Sequence, residues 1–310
     1  MGRTFRIASR RSKMALAQTN RIIAELKKVA PEHEYVIHEV VTDGDYEKFK
    51  GDLKTVGGKG AFVKALEVDL LNGKADMAMH SMKDVPGDIP LPEGLCIPAM
   101  LARDDLRDAV ICRAGETFVG LKAGARIGTS SVRRGAQLKM AFPHLTIVPL
   151  RGNADTRVAK VDAGDVDAAI LAVAGLKRIG LEHRISEVFE PDMMLPCVGQ
   201  GVVGVECREN DADVRTLLGK INHVDTFTCI TAERAMLRVL QGNCHTPIGG
   251  YCEITANRNL RLIGMVCSLD GKDVLRGRNK MPFDKPDDVG KAVAEELLAQ
   301  GAKRLLEACA

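Results

Sequence analysis

The sequence is poor in aromatic residues and has no tryptophan and no long apolar run. Aromatic residues make up 4% of the 310 residues, which disfavours the stacked-ring platforms that bind single-stranded nucleic acid. No apolar stretch approaches the roughly 20 residues that cross a bilayer. The 44 basic residues are nearly balanced by 41 acidic ones, so charge does not indicate a nucleic-acid partner either. We therefore expect neither nucleic acid nor a membrane as a partner.

Closely spaced cysteines and a leader segment are also lacking. The nine cysteines are scattered without a Cys-x-x-Cys pair, which argues against a zinc site and against a disulfide framework. Most of them are expected to be reduced and buried. The first eight residues lack the apolar core of a signal peptide. These features predict a cytoplasmic protein without a metal site.

The composition is that of a globular protein with a weak internal repeat. Its length suggests about two domains with room for a small third. Arg6–Ser9 resembles Arg126–Thr129, and Gly73–Met79 resembles Gly164–Ile170, in the same order along the chain. Each match pairs a short strand with a polar turn.

Helical patterns alternate with these strands. Apolar residues share one face over residues 13–29 and again over residues 61–72. Strands that alternate with helices predict α/β layers around a largely parallel sheet, with ligand sites at the carboxyl ends of the strands.

The last third has a different pattern. A helix is predicted over Thr231–Leu240, followed by three strand-like runs with an Asp270-Gly271 hairpin turn, and by a helix over Pro286–Gln300. This order predicts a small α+β domain with an antiparallel sheet. The predicted domains are a first α/β domain of residues 1–99 and 200–219, a second of residues 104–196, and a C-terminal domain of residues 222–310.

A carboxylate follows one of the predicted strands. Asp84 and Lys83 come shortly after the strand that ends at Met79. A carboxylate at that point could act as a general acid or base, or stabilise a cation. An isolated Asp-x-Pro more often begins a turn, and His80 more often has a structural role. This segment alone therefore leaves both interpretations open.

Basic side chains recur at turns that follow strands. Guanidinium groups pair with carboxylates and phosphates, so several of them together favour an anion site, although surface solubility explains many arginines. Thr129–Ser131 adds hydroxyl and amide groups suited to anions. The recurring cations are Arg10, Arg11, Lys83, Arg133, Arg134, Arg151 and Arg157.

Two further segments are ambiguous when taken singly. The run Val56–Phe62 contains glycines and Lys59 but lacks the Walker spacing, so a flexible lid is the better interpretation. Cys244 lies between Gly242 and Pro247 in a predicted turn, where a structural or inert cysteine is the usual case.

The full set of segments closely resembles the porphobilinogen deaminase family, also called hydroxymethylbilane synthases. The resemblance covers almost the whole chain, and its fold implies two α/β domains like those of periplasmic binding proteins with a small C-terminal α+β domain. The segments that carry it are Val56–Gly60, His80–Pro86, Gly128–Arg134, Leu150–Asn153, Leu171–Arg178, Val198–Gly201 and Gly242–Gly249.

The resemblance also implies a reaction and its residues. Four porphobilinogen molecules would be condensed stepwise, with release of ammonia, to hydroxymethylbilane for tetrapyrrole and haem biosynthesis. A dipyrromethane cofactor would be attached through a thioether to Cys244, Asp84 would be catalytic, and the protein would be a monomer. Cofactor-binding residues would be Ser81, Lys83, Thr129, Ser131, Arg133 and Arg134, and substrate-binding residues Arg10, Ser12, Arg151, Arg157 and Arg178.

Two alternatives come from other functional classes. One is a two-lobed module that binds an anion without catalysis, against which the presence of Asp84 and Cys244 argues. The other is a phosphate-handling transferase, against which the Walker mismatch argues. The chain departs from the family pattern at Arg11, Asp43 and Thr55, which affects the local charge but neither Asp84 nor Cys244.

Overall fold

A computed structural model describes residues 2–40, 60–242 and 246–309. The chain forms two compact units, one of Met1–Arg103 and Val202–Phe227 and the other of Asp104–Gly201 and Thr228–Ala310. Cys244, Asp43, Thr55 and the glycine–lysine segment 56–59 lie outside the described residues. The division into three domains stays a prediction.

The first unit is built on a five-stranded sheet. Its strands are β1 (Thr4–Ser9), β2 (Glu34–Glu39), β3 (Met77–Ser81), β4 (Leu95–Met100) and β10 (Val203–Arg208), and its helices are α1 (Lys13–Val29), α2 (Gly60–Leu71) and α6 (Ala212–Gly219). The strand order is β2-β1-β3-β10-β4. Strands β1, β2 and β3 pair in parallel, whereas β10 runs antiparallel to both of its neighbours.

Helices α1 and α2 pack on opposite faces of this sheet. Helix α1 has the predicted bounds and begins at Ser12, whose hydroxyl accepts a hydrogen bond from the amide of Ala15 at 3.2 Å. Its apolar stripe shares a core cluster with Met77 and Met79 of β3, whereas the stripe of α2 packs with Ala78. Side chains alternate along a strand, so β3 is buried on both faces and is held rigidly.

The second unit contains a sheet of matching design. Its strands are β5 (Asp108–Cys112), β6 (Arg126–Gly128), β7 (Thr146–Val148), β8 (Ala168–Ala172) and β9 (Glu187–Phe189), and the associated helices are α3 (Val132–Ala141), α4 (Ala154–Asp162) and α5 (Val173–Arg178). The order is β7-β6-β8-β5-β9, with β6, β7 and β8 parallel and β5 antiparallel to β8 and β9.

The two sheets share a detail that agrees with the internal repeat. The backbone amide of Arg6 donates to Asp76 at 2.8 Å, and that of Arg126 donates to Asp167 at 2.7 Å. Each arginine side chain also donates to the carbonyl of a turn glycine, at 2.9 and 2.8 Å. The same contacts therefore tie β1 at its third residue, and β6 at its first, to the residue that precedes the neighbouring parallel strand.

The sheets are less parallel than the alternation of strands and helices predicts. Two of the four strand pairings in each sheet are antiparallel. Strand β10 joins the first sheet only after about 100 residues that fold in the second unit, and β5 is the first strand after the chain passes from the first unit into the second. A strand–helix–strand crossover makes the two strands that it joins parallel. Strands β10 and β5 are not joined to their neighbours in the sheet by such a crossover, so they can run antiparallel to them.

The end of the chain forms an antiparallel sheet with helices, as predicted. Its elements are α7 (Val224–Leu240), β11 (Ile248–Ile254), β12 (Asn259–Cys267), β13 (Val274–Pro282), α8 (Pro286–Ala299) and α9 (Ala302–Glu307). Helix α7 begins at Val224, before the predicted Thr231, because burial of Cys229 and Ile230 outweighs the low helix propensity of this Thr-rich stretch. The predicted fold class, mixed α/β with a small C-terminal α+β part, is confirmed.

None of the helices in the part of the chain that the structure describes has both the length and the apolar character needed to cross a membrane.

Candidate active site

Strand β3 positions the candidate catalytic turn. The strand ends at Ser81 and continues into a single 3-10 turn over Met82–Asp84. The amide of Met82 donates to the carbonyl of Val202 at 3.0 Å, and the Met82 side chain is buried. Lys83 and Asp84 therefore follow an anchored residue at the carboxyl end of a central strand, and both are half-buried.

Ser81 has a buried partner that the sequence analysis missed. The side-chain amide of Gln18 donates to the Ser81 hydroxyl at 2.7 Å, and Gln18 is only 2% exposed. The available signal was a glutamine on the apolar face of α1, three residues after the buried Ala15. This contact fixes the orientation of the Ser81 hydroxyl.

The other face of β3 carries a buried contact between a histidine and a glutamate. His80 Nε2 lies 2.8 Å from Glu206 Oε2, and both side chains are buried. The second carboxylate oxygen of Glu206 has no hydrogen-bond partner among the described residues. Burial, and then the neighbouring charge of Glu206, raise the pKa of Glu67 on α2. This part of the interface between α2 and the sheet therefore brings the carboxyl groups of Glu67 and Glu206 near the imidazole of His80.

Arg10 and Ser12 follow the neighbouring strand β1. Arg10 is half-buried, and the Ser12 hydroxyl caps helix α1. Arg11 instead forms an ion pair with Glu39 at 2.8 Å on the surface. Because β1 and β3 are parallel, their carboxyl ends lie at the same edge of the sheet. The first unit thus brings Arg10 and Ser12 to the same edge as Ser81, Lys83 and Asp84.

The second unit presents hydroxyls and a helix N-terminus after β6. The Thr129 hydroxyl accepts from the amide of Ser131 at 3.2 Å, and the Ser131 hydroxyl accepts from the amide of Arg134 at 3.4 Å as the N-cap of α3. Helix N-termini favour anions because their amides point outwards and the helix dipole is positive there.

Arg133 and Arg134 share one buried carboxylate. Their guanidinium groups donate to Asp108 at 2.7 and 2.6 Å, and Gln200 donates to the same carboxylate at 2.9 Å. Asp108 is 0% exposed, Arg133 4% and Arg134 7%. Burial alone would raise the pKa of Asp108, but the charges of Arg133 and Arg134 hold it well below its usual range.

The remaining predicted cations differ in their surroundings. Arg157 is half-buried, and its Nε donates to the carbonyl of Gly152 at 2.8 Å. Burial, and then the charge of Arg134, lower the pKa of Arg157 to about 10. Arg178 donates to Asp104 at 2.6 and 2.9 Å, whereas Arg151 is exposed.

Comparison with known proteins identifies the family. Residues 5–216 match the family description "Porphobilinogen deaminase, dipyromethane cofactor binding domain", and residues 227–299 match "Porphobilinogen deaminase, C-terminal domain". The porphobilinogen deaminase of Exiguobacterium sp. is 45% identical over 303 residues, which cover 97% of either chain. That of Carboxydothermus hydrogenoformans is 46% identical over 301 residues, covering 97% of this chain and 96% of its own.

A solved structure offers a more distant likeness. A periplasmic substrate-binding protein of an ABC transporter from Coxiella burnetii aligns with 71% of this chain and 92% of its own, at 17% identity and a TM-score of 0.43. That score is too low to support an inference. The two matched regions and the full-length relatives are sufficient by themselves: the chain belongs to the porphobilinogen deaminase family.

Proposed function

We propose that this protein is an enzyme that condenses four porphobilinogen molecules head to tail, with release of ammonia, to give hydroxymethylbilane for haem biosynthesis. The observation that carries the proposal is Asp84, a half-buried carboxylate on the turn that follows β3. The chain that contains it is similar to proteins named porphobilinogen deaminase over nearly their full length. We also propose that the enzyme is a cytoplasmic monomer.

A dipyrromethane attached through a thioether to Cys244 is the proposed cofactor. Its acetate and propionate arms are anionic, and the second unit has matching groups. Arg133 and Arg134 share a single carboxylate, so the trio keeps a net positive charge, and both Nε atoms are buried without a partner among the described residues. Carboxylate arms fit this surplus of donors and charge. When bound, the cofactor supplies the pyrrole carbon to which substrate is joined and keeps the product attached.

Further cofactor contacts are assigned to neutral donors and to one lysine. Ser131 and Thr129 order the N-terminus of α3, where backbone amides favour a carboxylate. Ser81, oriented by Gln18, offers a hydroxyl, and Lys83 a cation, on the same turn as Asp84.

Asp84 acts on the substrate at the step that releases ammonia. Loss of the amine leaves an electron-poor pyrrole cation, which a nearby carboxylate stabilises most strongly where water is excluded. The same carboxyl group can pass a proton to the leaving amine and take one from the pyrrole carbon that reacts. Its anchored position after β3 means that no rearrangement is needed as the charge develops.

Substrate carboxylates are assigned to four arginines and a serine. Arg157 carries a charge that its surroundings disfavour, which a bound carboxylate would relieve. Arg178 is held by Asp104, so its guanidinium is oriented before substrate arrives. Arg10, Ser12 and Arg151 complete the proposed set.

The proposal is tested by intact mass and turnover of matched variants. Wild-type protein should be heavier than its sequence by one dipyrromethane, Cys244→Ser should lack that mass, and peptide mapping should assign it to Cys244. Asp84→Asn should lower the rate by at least about hundredfold with an unchanged Tm. Asp88, four residues further on, is also half-buried, and Asp88→Asn should keep the wild-type rate. An unmodified mass in an active preparation would refute the cofactor proposal, and a near-normal rate for Asp84→Asn would remove Asp84 from the mechanism.

A further inference from the structure

Two cysteines of the first unit face each other across neighbouring strands. Cys96 in β4 is directly opposite Cys207 in β10 in the antiparallel register, and the two Sγ atoms are 3.9 Å apart. Cys207 is buried and Cys96 half-buried, and both are free thiols. The proposed condensation uses neither of them.

We propose that Cys96 and Cys207 form an oxidative modification site, at which hydrogen peroxide converts the two thiols into an intrachain disulfide. Opposite residues of an antiparallel pair have Cα atoms about 4.5–5.5 Å apart, inside the range of about 4.4–6.8 Å that disulfides span. Side-chain rotation can therefore bring the sulfurs to the bonding distance of about 2.0 Å. The strand pairing already places the two residues opposite each other, and a register shift between Val205 and Cys207 lies directly beside the pair.

The chemistry begins at Cys96 because its side chain is the more accessible of the two. Its thiolate attacks one oxygen of hydrogen peroxide and the O–O bond breaks, which gives a sulfenic acid and a hydroxide; the hydroxide takes up the proton that the thiol released and leaves as water. The Cys207 sulfur then attacks the sulfenic sulfur, so that the S–S bond forms while the S–O bond breaks and a second water leaves. The two thiols together lose two electrons and two protons, and the peroxide is reduced to two waters.

The surroundings of the two thiols make disulfide formation slow at neutral pH. Burial raises the pKa of Cys96 and of Cys207, so little thiolate is present at pH 7. The rate of cross-linking should rise about tenfold per pH unit while the thiolate fraction remains small. The charged groups around the pair are Arg215, which lowers the thiol pKa, and Glu206, Glu209 and Asp211, which raise that of one thiol or the other.

The position of the pair along the chain gives the bond a structural consequence. Strand β4 precedes the point where the chain leaves the first unit after Arg103, and β10 follows its return at Val202. A bond between residues 96 and 207 encloses the whole intervening segment in one covalent loop. Cross-links that close long loops restrict the unfolded chain most, so oxidation should raise the thermal midpoint of the first unit.

The test uses the full-length protein, treated with hydrogen peroxide without reductant and then alkylated. Wild type should give a cross-link between tryptic peptides 84–103 and 185–208, with the loss of two hydrogens. The second peptide contains both Cys197 and Cys207, so Cys197→Ser is the matched control and should still form the bond. Cys96→Ser and Cys207→Ala should not form it, and they should keep the turnover of the reduced wild type.

The outcomes separate clearly. A 96–207 bond that forms in folded wild type and in Cys197→Ser, faster at pH 8 than at pH 7, supports the site. A bond that needs urea, or that joins Cys96 to Cys197, overturns it. Cys96→Ser alone decides the matter should Cys207→Ala fail to fold, because Cys96 is half-buried whereas Cys207 is buried.

Discussion

Replacement of Asp108 by Asn should destabilise the second unit far more than the loss of an ordinary ion pair. Asparagine preserves the shape but removes the charge that compensates Arg133 and Arg134. Its amide NH2 group would also face a guanidinium donor where a carboxylate oxygen now accepts at 2.6 or 2.7 Å. The guanidinium groups cannot escape to solvent, since both are more than nine-tenths buried.

The size of the effect follows from this burial. Removing one partner of a buried pair costs about 3–5 kcal/mol because the remaining charge is left uncompensated. With a urea m-value of roughly 3 kcal/mol per M for a unit of this size, the midpoint should fall by about 1.3 M. The unfolding is followed by circular dichroism, and hydrogen exchange of peptides from β5 and β8 assigns the transition to the second unit.

An exposed pair in the same unit serves as the control. Asp162 accepts from Arg184 at 2.6 and 2.8 Å, a geometry as good as that at Asp108, but its side chain is 49% exposed. Exposed pairs contribute up to about 1 kcal/mol, so Asp162→Asn should move the midpoint by about 0.3 M or less. Equal shifts for the two variants would refute the reasoning from burial.

The pH dependence supplies a second check on Asp108. Its pKa is depressed in the folded protein, so its stabilisation is present above the unfolded pKa of about 3.9 and is lost only as the pH falls through the folded value. The stability difference between wild type and Asp108→Asn should therefore be constant from pH 8 to pH 5. A difference that disappears within that range would show that another group is responsible.

Two other predictions concern single side chains. Arg157→Gln should raise the KM for porphobilinogen about tenfold through loss of a charge-assisted hydrogen bond, without lowering the Tm, because the charge is already disfavoured; an unchanged KM in steady-state kinetics would contradict the assignment. Glu67→Gln should raise the urea midpoint at pH 7 but not at pH 4, because the raised pKa of Glu67 gives a stabilisation that is present below its unfolded pKa and is lost as the pH rises through the folded value. Equal midpoints for Glu67→Gln and wild type at pH 7 would contradict the inference that the charged carboxylate of Glu67 destabilises the folded protein.

Local patterns predicted the elements that are stabilised locally. Helix α1 has its N-cap at Ser12 and its apolar stripe within one segment, so both of its ends were predictable. The hairpin of β12 and β13 turns at Asp270-Gly271, and α8 begins at a proline and is followed by Gly301 with φ at 99°. In each case the information lies within a few neighbouring residues.

Contacts between distant segments were not predictable in the same way. The partner of Arg133 and Arg134 lies 25 and 26 residues earlier in the chain, at the start of an apolar strand. A charged residue in such a position signals that some partner exists, but nothing in the spacing identifies it. The pairs His80–Glu206 and Gln18–Ser81 are separated by 126 and 63 residues, and the same limit applies to them.

The placement of β10 has a consequence for how the chain folds as it leaves the ribosome. Strand β10 lies between β3 and β4, so the first sheet stays split, with an unpaired edge on either side of the gap, until residue 208 has been made. The second sheet needs only residues 108–189 and can close earlier. The first unit is thus begun first but completed after the second sheet. Until residue 208 has been made, the edges of β3 and β4 that β10 will cover are unpaired and open to aggregation.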